Sequence, residues 1–332
     1  MNPRQVLRHC VEGMLASEDR FGVVPERHVP WLTERLHWHK IMPLAAALSD
    51  PRQPKSPRLQ QTFEAVTIAN LAREGHYRTQ AREVIGRLRA AGIDVIPYKG
   101  PFWGARMYPG YSWRNIGDLD LLMTNAEARA AAAILSADGY RPDVVGSSEA
   151  DDFERRGELT FFPPPSQSQL VPVQLHWELM PAPRFLARHF IRYEDFANAT
   201  ATAAWESIAY RLPAAEIRLL YLALHATCQH QFMRFVHIID QVYFLRAHPA
   251  LDWDAVRDLA RERHCQTPLY YALAFAGAFW RLPAAAEALL ADGGPRLSVR
   301  LVASLLRPHA TLFATAVRGK RRRKLFRAAM SW

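Results

Sequence analysis

Seven residues, Gly117-Asp118-Leu119-Asp120-Leu121-Leu122-Met123, alternate acidic with apolar side chains inside a chain whose texture on either side is helical. Alternation of period two marks a strand. Asp118 and Asp120, two apart, then project from one face, a few ångströms from each other. Two carboxylates held so close oppose each other's ionisation. A divalent cation relieves that conflict, and Mg²⁺ commonly takes a pair of carboxylates and fills its remaining positions with water and phosphate oxygens. Leu119, Leu121 and Leu122 anchor the strand in a core.

Around this strand the 332 residues fall into three regions. Residues 1–92 carry apolar positions at three-to-four spacing, such as Val6, Val11, Met14 and Leu15, and read as successive helices. The proline-rich segment Ser49 to Pro57 is an exposed loop between two of them, and Gly92 closes a long helix. Residues 93–195 form an α+β core, a small β-sheet with helices: IDVIPY, the Asp118 strand, a helix capped by Asn125 and closed by Gly139, then two strands, GELTFF and VPVQLHW, joined by PPPSQSQ. Residues 196–332 return to helical texture, clearest from Leu212 to Arg246, with Asp252, Pro268 and Pro283 marking further helix starts. No internal repeat is visible.

Composition removes whole classes. A hydrophobic fraction of 49% excludes a disordered chain, and three scattered cysteines, Cys10, Cys228 and Cys265, exclude a disulfide scaffold and fit a reducing, cytoplasmic setting. The longest apolar run, Pro268 to Trp280, is too short to cross a bilayer, and the amphipathic N-terminus lacks the apolar core of a signal peptide. The net charge of +10 is local. Ten of the 42 Lys and Arg residues lie beyond Asp292, where there is no acid, so the first 292 residues carry 32 charges of each sign. Six of those ten fall between Arg318 and Lys324, followed by Leu325, Phe326, Met330 and Trp332, a segment suited to an anionic partner such as nucleic acid or a membrane surface.

Upstream of the paired aspartates, Lys99-Gly100 follows a strand and opens a helix, where backbone amides and a lysine can hold phosphate. Arg114, four residues before Asp118, adds positive charge. The ordered set Lys99-Gly100, Tyr108, Arg114 and Gly117-Asp118-x-Asp120-Leu121-Leu122 resembles the signature of the uncharacterised nucleotidyltransferase-like proteins of the DNA polymerase β-type nucleotidyltransferase superfamily. The resemblance continues at Leu175-His176-Trp177 and at His225, His230, Arg234 and Asp240, and spans roughly residues 25 to 285.

That resemblance implies Mg²⁺-dependent transfer of a nucleoside monophosphate from an NTP to a hydroxyl or phosphate acceptor, with up to two ions. Asp118 and Asp120 would be metal ligands and catalytic residues. Lys99, Gly100, Arg114 and Gly117 would face the nucleotide. Superfamily enzymes usually take a third carboxylate from a neighbouring strand, and the matching position here is Gln174, a neutral ligand and a poor base. His176 and Glu178, on the Gln174 face if the strand continues, or Glu158 on the preceding strand, are the candidates to replace it. Gln174 also motivates the alternative of a non-catalytic descendant acting as a binding or accessory protein. A third reading is an RNA-binding protein working through the basic tail.

Other chemistries lack their residues. There is no Gly-x-Ser-x-Gly elbow, no Walker loop and no Gly-x-Gly-x-x-Gly, and the spacing of His225 and His230 is not that of a His-Glu-x-x-His zinc helix. Tyr270, Tyr271, Phe275, Phe279 and Trp280 have the spacing of a helix core.

Overall fold

The computed structural model describes residues 1–110, 113–144, 153, 156–179, 191–199 and 201–292. It has an α+β architecture and divides into two compact units. One comprises residues 1–68 and the described residues from 215 onward; the other comprises the described residues of 69–187 and 191–214.

The second unit holds a five-stranded mixed sheet of order β1-β2-β5-β4-β3, where β1 is Ile96–Pro97, β2 Leu119–Leu122, β3 Arg141–Pro142, β4 Glu158–Phe162 and β5 Val173–His176. Strand β2 runs antiparallel to β1 and parallel to β5, while β4 is antiparallel to both β5 and β3. Leu119 and Leu121 of β2, Val173 and Leu175 of β5, and Leu159 and Phe161 of β4 are fully buried and line up on one face. The residues between them, Asp120, Gln174, His176, Glu158 and Thr160, therefore share the opposite face. The alternation that marks β2 in the sequence thus places chemistry on one side and the core on the other.

Helix α4 (Pro57–Ala90) ends at Gly92, whose φ of +80° suits the left-handed cap that glycine adopts without strain. Its later part buries Tyr77, Ala81, Val84, Ile85 and Leu88. Helix α5 (Gly100–Met107) follows β1 directly. Helix α6 (Asn125–Ala137) opens on a capping box, Thr124 accepting from Glu127 N at 3.3 Å while Glu127 accepts from Thr124 N at 2.9 Å. The cap is Thr124 rather than Asn125, because Thr-x-x-Glu satisfies two amides at once.

After the short helix α7 (Tyr193–Ala197), residues 202–211 depart from the helical texture expected there. Strands β6 (Thr202–Trp205) and β7 (Ile208–Arg211) form a hairpin, turning at Glu206 with φ +52°. Ala203, Trp205, Ile208 and Tyr210 alternate inward, and Tyr210 donates its hydroxyl to the Phe102 carbonyl at 2.6 Å, so the hairpin backs α5.

The first unit packs α1 (Pro3–Ala16), α2 (Val29–Trp38) and α3 (Met42–Leu48) with five later helices: α8 (Ala215–Leu224), α9 (Val236–Ala247), α10 (Trp253–Glu262), α11 (Gln266–Gly277) and α12 (Ala284–Asp292). The helical run from Leu212 to Arg246 consists of two helices, α8 and α9, with a break between them. After α8 comes a π turn, His225–Gln229, and then Gln231 and Phe232 at φ +47° and +48°, before α9 begins. The loop from Ser49 to Pro57 is exposed at its three prolines, as expected, and is anchored at Asp50 and Lys55. Lys55 Nζ lies 2.8 Å from Asp19 Oδ2, both side chains buried, and Asp50 N donates to the same oxygen at 2.6 Å.

Among the described residues no helix is long and apolar enough to cross a membrane. Cys10, Cys228 and Cys265 are free thiols. The basic stretch from Arg318 to Lys324 lies outside the described residues.

Candidate active site

Asp120 is the centre of the polar face, 3% exposed and in register with Gln174 on the parallel neighbour β5. Its Oδ1 takes Lys99 Nζ at 3.1 Å and His176 Nε2 at 2.9 Å. An ionised carboxylate only accepts, so the imidazole donates from Nε2. Burial alone would push the Asp120 carboxyl up, but the Lys99 charge and the His176 bond outweigh it and hold it far below the usual carboxylate range. Both contacts fall on Oδ1, which leaves Oδ2 as the oxygen available to a cation.

His176 itself is bracketed. Register pairs it with Glu158 on β4, and Glu158 Oε2 stands 3.3 Å from Nδ1, within ion-pair distance but outside hydrogen-bond geometry. The order across the sheet is therefore Lys99, Asp120, His176, Glu158. Beside His176 stands Tyr98, edge-on with centroids 5.4 Å apart, and Tyr98 in turn contacts Trp103 and Phe196, a cluster of buried aromatic rings. Low local polarity strengthens each charge contact.

Lys99 reaches the site through an unusual backbone. It has φ +56° and Gly100 has φ +42°, so two consecutive residues occupy positive φ where β1 turns into α5. The turn aims the ammonium at Asp120 while the lysine stem crosses the Tyr98 ring, with Nζ 4.8 Å from its centroid. Asp118 is half-buried just before β2, Arg114 is half-buried in the segment leading to it, and Gly117 is exposed. Glu178 stands apart. β5 ends at His176, and the amides of Trp177 and Glu178 both bond to the Gly157 carbonyl, so the chain curls around the start of β4 and leaves Glu178 exposed there.

One residue of the site escaped sequence reasoning. Tyr77 of α4 is 1% exposed, and its phenol is pushed well above the ordinary tyrosine range by burial, with Asp120 and Asp118 adding to it. A Cβ at Gly100 would stand 3.3 Å from its hydroxyl, which has no hydrogen-bond partner among the described residues. The only signal in the sequence is an aromatic within the polar run Arg73-Glu74-Gly75-His76-Tyr77-Arg78.

His225, His230, Arg234 and Asp240 belong to the other unit. Asp240 is buried on α9, and Arg234 lies over the Trp38 ring at 5.6 Å. Among the described residues no group of three or more His, Cys, Asp or Glu side chains is arranged to hold a metal. Asp118 and Asp120 make a two-carboxylate arrangement, which suits an ion whose other positions go to water and substrate phosphate.

No curated protein and no solved structure matches the chain. The profile of the family described as "Uncharacterised nucleotidyltransferase" matches residues 25–281, a span that takes in every residue of the Asp120 site and most of both units. The chain belongs to this uncharacterised nucleotidyltransferase family.

Proposed function

We propose that the protein transfers a nucleoside monophosphate from an NTP to a hydroxyl or phosphate acceptor, with Mg²⁺ at Asp118 and Asp120, in a cytoplasmic setting. The observation that carries this reading is Asp120: a buried carboxylate, held ionised by Lys99 and His176, two positions after a second carboxylate, Asp118, at the entry to β2. Bound there, Mg²⁺ would supply charge neutralisation at the reacting phosphate and at the departing pyrophosphate.

The chain's own residues do the rest. Asp120 presents Oδ2, while Oδ1 is fixed by two donors and cannot rotate away. Lys99 stands on a tight turn, 12% exposed, and an incoming triphosphate offers it more negative charge than Asp120 does. Moving from the carboxylate to phosphate, it would release Asp120 for the metal. Arg114 and the Gly100 turn give further positive potential on the same side. His176, bonded to Asp120 and facing Glu158, is the group through which an acceptor proton would leave; Glu158 supplies the acid that Gln174 lacks.

The test is incubation with each labelled NTP, Mg²⁺ and cell extract. Label should appear on an acceptor with wild-type protein and not with Asp118→Asn/Asp120→Asn. Equal transfer by that variant would sink the assignment.

One observation favours a second reading, a non-catalytic binding or accessory protein. Asp120 is already neutralised by Lys99 and His176, and its neighbour across β5 is Gln174 rather than an acid. Calorimetry separates the two: Mg²⁺-dependent NTP binding supports the enzyme, and its absence supports the accessory protein. For either, the basic segment after Arg318 would add affinity for an anionic acceptor, visible as a steep salt dependence that deletion removes.

A further inference from the structure

In the helical unit, away from the paired aspartates in sequence and in unit, three imidazoles lie against one another. His225 and His230 bring their Nε2 atoms to 3.1 Å, with centroids 4.4 Å apart and rings nearly perpendicular. His237 of α9 stacks on His230 at 4.4 Å and stands 5.3 Å from His225. On a regular α-helix, residues five apart do not share a face. Here they do because the turn is π: His230 N bonds to His225 O at 3.1 Å, the five-residue step itself. Such turns are uncommon and are found mostly at functional sites. The backbone just after it is held at positive φ through Gln231 and Phe232, a conformation costly for side-chain-bearing residues.

The nitrogen separation has a chemical meaning. Two imidazole nitrogens, each about 2.0–2.1 Å from one tetrahedral ion, stand about 3.3 Å apart. The observed 3.1 Å is a hydrogen bond between the two rings and lies within a few tenths of an ångström of that bite, so an ion can take the place of the shared proton. Both histidines are part-exposed, so an ion and its remaining ligands can reach them. Polar groups around the cluster point the same way. Gln229, inside the π turn, has a buried Oε1 with no hydrogen-bond partner among the described residues. Gln241, one helical turn beyond His237 and 1% exposed, has neither amide atom bonded among them. Buried amides left open in this way are ordinarily satisfied by ordered water or a ligand.

We infer that His225 and His230 chelate a first-row transition-metal ion of the Zn²⁺, Ni²⁺ or Cu²⁺ class, its other positions filled by water or an anionic ligand. Imidazole nitrogen selects these ions over Mg²⁺, which keeps to oxygen. The site is independent of the nucleotide reading and has two protein ligands, below the three-ligand arrangements that the described residues lack.

The experiment uses the untagged full-length chain, stripped with chelator and titrated with Zn²⁺ by calorimetry, with Co²⁺ as a visible-absorption probe. One equivalent should bind wild type and Asp118→Asn/Asp120→Asn alike, and affinity should fall at least tenfold in His225→Gln/His230→Gln. Imidazole ¹⁵N spectra of wild type, read during the titration, should show both Nε2 signals moving, a result that does not depend on any variant folding. No bound equivalent in wild type, unmoved His225 and His230 signals, or a double-glutamine variant that binds as wild type does would each overturn the site and leave the pair as two histidines sharing one proton.

Discussion

His176 donates from Nε2 to Asp120 Oδ1 at 2.9 Å, and that bond crosses from β5 to β2 in the middle of the sheet. With Lys99 on the same oxygen, the carboxylate is buried but not isolated. Removing its charge takes the ion pair from a lysine whose side chain is 12% exposed. Asp120→Asn is therefore expected to destabilise the fold by about 3 kcal/mol, the lower end of what breaking a buried pair costs. Urea unfolding of the two proteins at neutral pH measures it, and a difference under about 1 kcal/mol would mean that Lys99 finds another partner at little cost.

The same contact fixes a pH dependence. Asp120 is held far below its ordinary range in the folded state, so the unfolded chain takes up a proton first as pH falls. The stability it contributes is fully present above the unfolded carboxylate value of about 3.9 and is lost as pH falls toward the folded one. The wild-type advantage over Asp120→Asn should be flat above about pH 5 and shrink below about pH 4. An advantage that instead grew on acidification would contradict the ionised, doubly bonded carboxylate.

Much of this site was legible because it rests on local pattern. The period-two alternation around Asp118 and Asp120 requires no knowledge of partners, and neither do the capping glycines at 92 and 139, both at positive φ. What stayed hidden depends on distant pairing. Sequence places Glu158 on a strand but cannot say that its register partner is His176. It likewise cannot tell that β5 stops there, which leaves Glu178 off the strand. The hairpin at 202–211 was lost because Ala-rich alternation scores as helix by propensity while its inward side chains pack on α5. The π turn was lost for a related reason: the apolar spacing on either side of it is helical, and only the geometry at His225–Gln229 shows the slip.

Tyr77 offers a test with an unusual sign. Its buried hydroxyl has no partner among the described residues, and such a group costs about 1–3 kcal/mol of desolvation. Tyr77→Phe keeps the ring and removes the cost, so thermal denaturation without nucleotide should show a higher midpoint, by several degrees. Gly100→Ala should do the reverse, because φ +42° strains an alanine and its Cβ would stand 3.3 Å from that hydroxyl. The double variant relieves the contact but not the strain, and should fall between the two. If Tyr77→Phe lowers the midpoint, the hydroxyl has a partner that holds the turn.

Gln174 tests whether this chain has lost an acid or replaced it. It lies directly beside Asp120 on a parallel strand, so Gln174→Glu places a further carboxylate next to Asp120, already bonded to Lys99 and His176. Like charges opposite one another cost up to about 1 kcal/mol, so the variant should unfold more easily than wild type in chelator. Mg²⁺ should reverse that. A third carboxylate strengthens binding of a hard cation, and the rise in midpoint on adding Mg²⁺ should be larger for Gln174→Glu than for wild type. Transfer assays then divide the outcomes. If Glu158 and His176 already serve in place of the acid, the variant gains metal affinity with little change in kcat. A kcat that rises severalfold identifies residue 174 as the missing ligand. No Mg²⁺ response in either protein would remove metal from the Asp118 and Asp120 pair and leave the binding-protein reading in its place.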